Sequence, residues 1–296
     1  MKILAFGSLN IDFLYSVDHI SAPGETISSS SFLKSAGGKG ANQAAALSKA
    51  GLSVYMAGKI GNDGQFILKL LESYGVNTGY VVQDDGVTGH AIIQIDKNGQ
   101  NSIVLHSGGN GEITDGKIRE TISKFSAGDI IVLQNEISNI DTIMKEAKKQ
   151  GMKICLNPSP FNEKISHLPL ETADWLFVNE IEGSALAGLP VPQEAEQPAV
   201  LEKLTKLFPS SEIILTAGGN GAYYGSGKII IKEEIVKVPV VDTTAAGDTF
   251  TGFFLAAQLK NMPAKQALEI ACKAASITVS RKGAMESIPF ANEVFN

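Results

Sequence analysis

The feature that most constrains this chain is an alternation. Short runs of β-forming apolar residues, bounded by glycine or aspartate, are followed by segments with helical spacing. KILAFG leads to ANQAAALSKAG, VYMAGKIG to GQFILKLLESYG and DIIVLQ to IDTIMKEAKKQG, with KICLNPS, WLFVN and EIILTAGG further on. Strands that alternate with helices build βα units around a parallel sheet. The expected fold is α/β and doubly wound, a mostly parallel central sheet with helices on both faces. Gly51, Gly75 and Gly151 stand where three of these helices should end, a position that favours a left-handed residue. With 296 residues, 44% of them apolar, the chain can bury a large core, and one α/β domain over 1–296 is expected.

Two stretches break the alternation. Residues 11–36 and 88–108 read as extended segments turning at Pro23-Gly24 and Asn98-Gly99, and HAIIQID and SIVLH alternate polar with apolar. They are expected to pair as a small antiparallel sheet outside the main one. Such a sheet either covers a cleft or decorates an edge, and periodicity alone does not choose. PVPQEAEQPAV, 190–200, reads as a surface loop entering a helix.

Composition narrows the partners. A net charge of -6 and a pI near 5.3, with no run of lysine or arginine, argue against nucleic acid or an anionic membrane and for a small molecule. Cys155 and Cys272 lie far apart and outside any CxxC spacing, so they read as buried thiols. MKILAFGSLNID is too short in its apolar part for a signal peptide, and no apolar run approaches the roughly 18 residues of a membrane span. A cytoplasmic protein is expected.

Two clusters carry chemistry. In VDTTAAGDTFTGFF, 241–254, a turn of small residues, Ala245-Ala246-Gly247, runs into an apolar helix, the arrangement of an anion site at a helix N-terminus. Asp248 beside it is either a helix cap or a general base next to a site for a developing negative charge, the pairing that phosphoryl transfer uses. SAGGKGANQAAALSKAG, 35–51, pairs a Gly-rich half with a helical one, and Asn42 offers a donor and an acceptor to a polyol. It matches neither GxxxxGK[ST] nor GxGxxG, and it is either a ligand cradle or a structural loop. His19, His90, His106 and His167 have no metal-ligand spacing.

GGKGANQA, 37–44, and DTTAAGDTFTG, 242–252, together resemble the two signatures of the PfkB family of sugar kinases, with similarity from GSLNID at residue 7 to RKGAMESIP ending at 289. The resemblance implies an ATP-dependent kinase acting on the primary hydroxyl of a pentose, D-ribose first, with magnesium and a potassium activator. It implies sugar contacts from Asn10, Asp12, Gly38, Lys39, Asn42 and Glu136. Asp248 would be the catalytic base, with the amides of Ala245, Ala246 and Gly247 as its anion hole. Asn179 and Glu182 of FVNEIEG would arrange magnesium and phosphate, and Thr216, Gly218 and Gly221 of LTAGGNGA would form the nucleotide turn. The middle of LTAGGNGA lacks the basic residue that many relatives carry. Asp242 and Ser287, with backbone carbonyls near Thr244, Thr278, Arg281 and Gly283, would hold the monovalent cation. The extended segments fall where the family has a β-lid over the sugar, which also builds a homodimer. Two other function classes compete: a sugar sensor without catalysis, against which Asp248, Gly247, Asn179 and Glu182 stand intact, and a dinucleotide oxidoreductase, which would need GxGxxG where the first strand meets GSLNID instead.

Overall fold

The computed structural model describes residues 1–191 and 197–295. The segment 190–200, read above as a loop entering a helix, lies outside the described residues over 192–196; its helix begins at Gln197.

The nine strands of the large sheet are β1 (Ile3–Phe6), β4 (Val54–Gly61), β5 (Asn77–Asp84), β8 (Ile130–Gln134), β9 (Lys153–Asn157), β10 (Trp175–Asn179), β11 (Glu212–Thr216), β12 (Ala222–Ser226) and β13 (Ile229–Glu233). Their order is β13-β12-β11-β10-β9-β8-β1-β4-β5. Every pairing from β5 to β11 is parallel, and the β11–β12 and β12–β13 pairings are antiparallel. The sheet is therefore mixed with a large parallel part, as the alternation predicts.

Period two along each strand divides the core. Ile3 and Ala5 of β1, with Ile130 and Val132 of β8, face α1 (Lys39–Lys49), α7 (Ala246–Leu259) and α8 (Ala264–Val279). Leu4, Phe6, Ile131 and Leu133 face the opposite layer, which holds α3 (Asp115–Ile122), α4 (Ile140–Lys149) and α6 (Gln197–Leu207). Strands buried on both faces read as unbroken apolar runs, which is why IIVLQ and ILAF showed no alternation. Gly51, Gly75 and Gly151 all have positive φ just beyond helix ends.

The smaller sheet has the order β3-β2-β6-β7, from β2 (Asn10–Ser16), β3 (Ser31–Gly37), β6 (Gly89–Ile95) and β7 (Asn101–His106). Here one expectation fails: the two chain-distant pieces are antiparallel hairpins, but they join through β2 and β6 in parallel. The cause is topological. β2 follows β1 and β6 follows β5, and both leave the C-terminal ends of strands that run in the same direction. The edge strands β3 and β7 carry apolar side chains that are more than half exposed, Phe32, Leu33, Val104 and Leu105, and because neighbours alternate these fall on both faces of the small sheet.

Strand order reverses between β1 and β8, where the chain winds away to either side. In open α/β sheets ligands bind outside the carboxyl ends of the strands at such a point.

Candidate active site

A cavity of about 520 Å³ opens at that switch point, beneath the small sheet. β1 ends into Gly7 to Asn10 and β8 into Gln134 to Glu136, so both bring polar groups to its floor. Asn10, Asp12, Gly38, Lys39, Asn42, Glu136, Asn179, Glu182, Thr216, Thr244 and residues 245–248 all line it. The sequence clusters at 7–12, 37–44 and 241–254 thus meet in one place.

The Gly-rich segment begins α1. Gly38 has φ +91° and precedes the first turn, where a Cβ would lie 2.9 Å from the Asn10 amide. Glu136 accepts from the Ser8 hydroxyl and, at 3.0 Å, from the Lys39 amide. Asn10 accepts from the Asn110 side chain at 2.7 Å, and Asn110 also receives the Leu9 amide. Asn110 ends HSGGN, 106–110, the segment that leaves β7, and through it this segment ties down the junction between the two sheets.

Asp12 is held close to Gly37, where any side chain would collide with its carboxylate. Burial, with the nearby Glu136 charge, pushes its carboxyl up to about 7. Lys39 moves upward too: burial works against its charge, but the carboxylates of Asp248, Glu136 and Glu182 outweigh it.

Ala245, at φ 61°, forms the bend that starts α7. The Ala246 amide closes the turn onto the Thr243 carbonyl at 3.3 Å, while Gly247 belongs to the first helical turn, whose amides have no intrahelical acceptor. A Cβ at Gly247 would meet nothing within 4 Å, so its backbone faces open space. Asp248 is not the cap of this helix. It is 8% exposed, and its two carboxylate oxygens accept from Asn42 Nδ2 at 3.0 Å and Gln43 Nε2 at 2.9 Å. The capping alternative is thereby removed.

Asn179 and Glu182 form a capping box at the start of α5 (Glu180–Ala187). Asn179 Oδ1 accepts from the amides of Ile181 and Glu182, and Glu182 Oε2 from the Asn179 amide at 3.0 Å. Among the described residues no three His, Cys, Asp or Glu groups gather as a metal cage.

A second cavity, about 580 Å³, adjoins the first and shares Thr216, Thr243, Ala246 and Gly247 with it. Gly218 and Gly221 line it beside Thr216. The rest of its wall is largely apolar: Ile235, Val236, Val238, Phe250, Ala275 and Val279. Sequence reasoning found its glycine turn and missed this wall, because 235–240 carries no motif. It also assigned no role to Gln43 or Gln134.

Asp242 stands outside the first cavity. Its Oδ1 accepts from the Thr244 amide and hydroxyl, and its Oδ2 from the Gly283 amide at 3.1 Å. Burial would raise its carboxyl, but these hydrogen bonds prevail and hold it below the usual carboxylate range. The hydroxyl of Thr278 is turned inward to Thr249, leaving only its backbone for a ligand, and Ser287 is buried with its hydroxyl on the Ala284 carbonyl. Arg281 pairs through its side chain with Glu293.

A model of the pfkB family of carbohydrate kinases matches residues 1–291. The chain belongs to that family. It is a sugar kinase, a phosphotransferase with an alcohol group as acceptor. Ribokinase of Haemophilus influenzae is 34% identical over 98% of this chain and 96% of its own length. The crystal structure of Cryptococcus neoformans ribokinase in complex with ADP is 35% identical and superposes with a TM-score of 0.87, covering 99% of this chain and 98% of that one. The structure of Arabidopsis thaliana ribokinase complexed with ribose and ATP is 31% identical with a TM-score of 0.86, covering 99% and 97%. The N-terminal signature, 37–44, lines the first cavity alone, and the C-terminal one, 242–252, puts Thr243, Ala246 and Gly247 on the wall that the two cavities share. No described helix is long and apolar enough to cross a membrane.

Proposed function

We propose that this kinase transfers the γ-phosphoryl group of ATP to the 5-hydroxyl of D-ribose. The observation that carries the reading is the position of Asp248: a buried carboxylate at a helix start, lining the first cavity directly after the turn, Ala246 and Gly247, that this cavity shares with the apolar one. The polar cavity suits a polyol, with Asn10, Asp12, Gly38, Lys39, Asn42 and Glu136 offering donors and acceptors. The apolar one suits a purine base, with Thr216, Gly218 and Gly221 at its mouth. Asn42 Oδ1 is buried without a protein partner and is free to accept a sugar hydroxyl.

In this reading Asp248 takes the proton of the attacking hydroxyl, and the turn presents the Gly247 and Ala245 amides to the transferring phosphoryl group, while the Ala246 amide, bonded to the Thr243 carbonyl, joins only by letting go of it. The Asn179–Glu182 box commits one Glu182 oxygen to the backbone, and with no cage of three His, Cys, Asp or Glu among the described residues this donor set fits magnesium held mainly by phosphates and water. Magnesium, when bound, neutralises phosphate charge. The lowered Asp242 carboxyl, with Ser287 and the carbonyls of Thr244, Thr278, Arg281 and Gly283, is an all-oxygen set that fits a hard monovalent cation such as potassium. The small sheet would act as a lid that excludes water, and exposed apolar side chains on its outer surface would pair two copies as a homodimer, each copy one continuous α/β domain. Such an enzyme would work in the cytoplasm.

Deoxyribose, another furanose or a nucleoside remains the competing acceptor class, and Asp12 discriminates. A carboxylate placed for vicinal hydroxyls loses a partner when one is missing. The test is ADP release with ATP and magnesium against ribose, 2-deoxyribose, fructose, fructose 6-phosphate, tagatose 6-phosphate and adenosine, each in potassium and in sodium buffer. The highest kcat/KM is expected for ribose in potassium. Another acceptor in first place removes the ribose assignment, and equal rates in the two buffers remove the cation site.

A further inference from the structure

Asp248 is reached from α1 by two neighbouring side chains, and one of them continues inward. Gln43 is fully buried, and its Oε1 accepts from Gln134 Nε2 at 2.6 Å while its own Nε2 donates to Asp248. Gln134, the last residue of β8, is buried as well. The hydrogen bonds therefore run one way, from Gln134 to Gln43 to the carboxylate. An ionised carboxylate only accepts, so it dictates how the Gln43 amide must face, and Gln43 in turn dictates Gln134. The consequence is visible at the far end, where Gln134 Oε1 is buried with no partner. Two apolar side chains would fill this space without leaving an acceptor unsatisfied, so packing alone does not account for the pair.

The backbone makes way for the arrangement. A Cβ at Gly7 would come within 2.1 Å of Gln134 Oε1, and a Cβ at Gly252 within 2.5 Å of the Ala46 Cβ. Gly252 thus lets α7 approach α1 closely enough for Asn42 and Gln43 to reach Asp248 together.

We infer that Gln43 and Gln134 are positioning residues for phosphoryl transfer, a buried amide relay that fixes the Asp248 carboxylate against the bound acceptor. The inference rests on the proposed role of Asp248 as the base. Neither glutamine lines either cavity, so each acts through Asp248 and not on sugar or nucleotide. A carboxylate free to rotate loses the alignment on which proton transfer depends, which lowers turnover without weakening binding.

The experiment is steady-state kinetics on Gln43→Met, Gln134→Met and the double variant, beside wild type, with the side-chain amide signals of the 15N-labelled full chain. Gln43→Met should lower kcat about 10–30-fold with both KM values within about threefold, and Gln134→Met about 3–5-fold. The double variant should be no slower than Gln43→Met, since the second link acts only through the first. In the sugar-free chain, Gln134→Met and Asp248→Asn should each displace the Gln43 side-chain amide signals. Should Gln43→Met not fold, Gln134→Met and its effect on those signals decide. Wild-type ADP release with unchanged kcat in the variants, additive losses in the double variant, or immobile amide signals would each overturn the relay. Absence of acceptor-dependent ADP release from wild type would sink the kinase assignment and the positioning role with it.

Discussion

The two cavities on either side of the 243–247 turn are of similar size and different make. The first mixes carboxylates and carboxamides, which other buried groups hold in place, with apolar side chains such as Ile93, Leu105 and Phe177; the second is lined by aliphatic side chains and glycines with few hydrogen-bonding groups. The difference separates two tasks. Polar groups fixed by a network discriminate and react, because each mispaired hydrogen bond is costly in a buried site. An apolar slot binds a flat ligand mainly by removing surface from water, and it tolerates change.

If reaction lives on the polar side, the largest effect should come from Asp248→Asn. It is expected to lower kcat at least about 100-fold, the scale of a general base, with ATP affinity measured by calorimetry little changed. Near-normal turnover would remove Asp248 from the chemistry. Asp12 tests discrimination. Its carboxyl lies at about 7, so ribose affinity should be full above that pH and fall as pH drops through it, if the ionised form grips the hydroxyls. Asp12→Asn should abolish that pH dependence.

Asp12 also makes a stability prediction of opposite sense. The unfolded chain releases this proton near 3.8 and the folded chain near 7, so the folded state binds more protons between those values. Its contribution is therefore harmless below 3.8, and stability declines as pH rises to about 7, by up to about 4 kcal/mol. Asp12→Asn should raise Tm at pH 8 and leave it nearly unchanged at pH 4. A Tm that falls at pH 8 would mean that Asp12 is held for folding and not for a ligand. On the apolar side the effect should be smallest. Ala275→Leu narrows the slot and is expected to raise KM for ATP about tenfold, leaving kcat at saturation and KM for ribose within about threefold. Equal losses for both substrates would erase the division between the cavities.

Much of the fold is legible in the sequence because period carries it. The strand runs at ILAF, IIVLQ and WLFVN fall on central parallel strands, and the glycines at 51, 75 and 151 end helices as their spacing suggests. The pairing of the small sheet was not legible: each hairpin is local, but the β2–β6 register depends on where two distant strands leave the large sheet. The same holds within the site. Asn42 and Gln43 are adjacent in a motif, and on a helix neighbours point about 100° apart, so nothing in the spacing says that both reach one carboxylate. That convergence depends on Gly252 and the contact it permits. The wall at 235–240 was silent because aliphatic side chains in an irregular segment carry no signature until their neighbours are known.

The bonds at Asp248 join residues 205 and 206 positions apart. A nascent chain emerging N-terminus first contains the Gly-rich segment and most strands of the large sheet before α7 is synthesised. Until residue 248 leaves the ribosome, Asn42 and Gln43 have no carboxylate to bind, and the half-built pocket has no group to take a hydroxyl proton. If Asp248 is the base, the group that completes the site is therefore among the last to be synthesised.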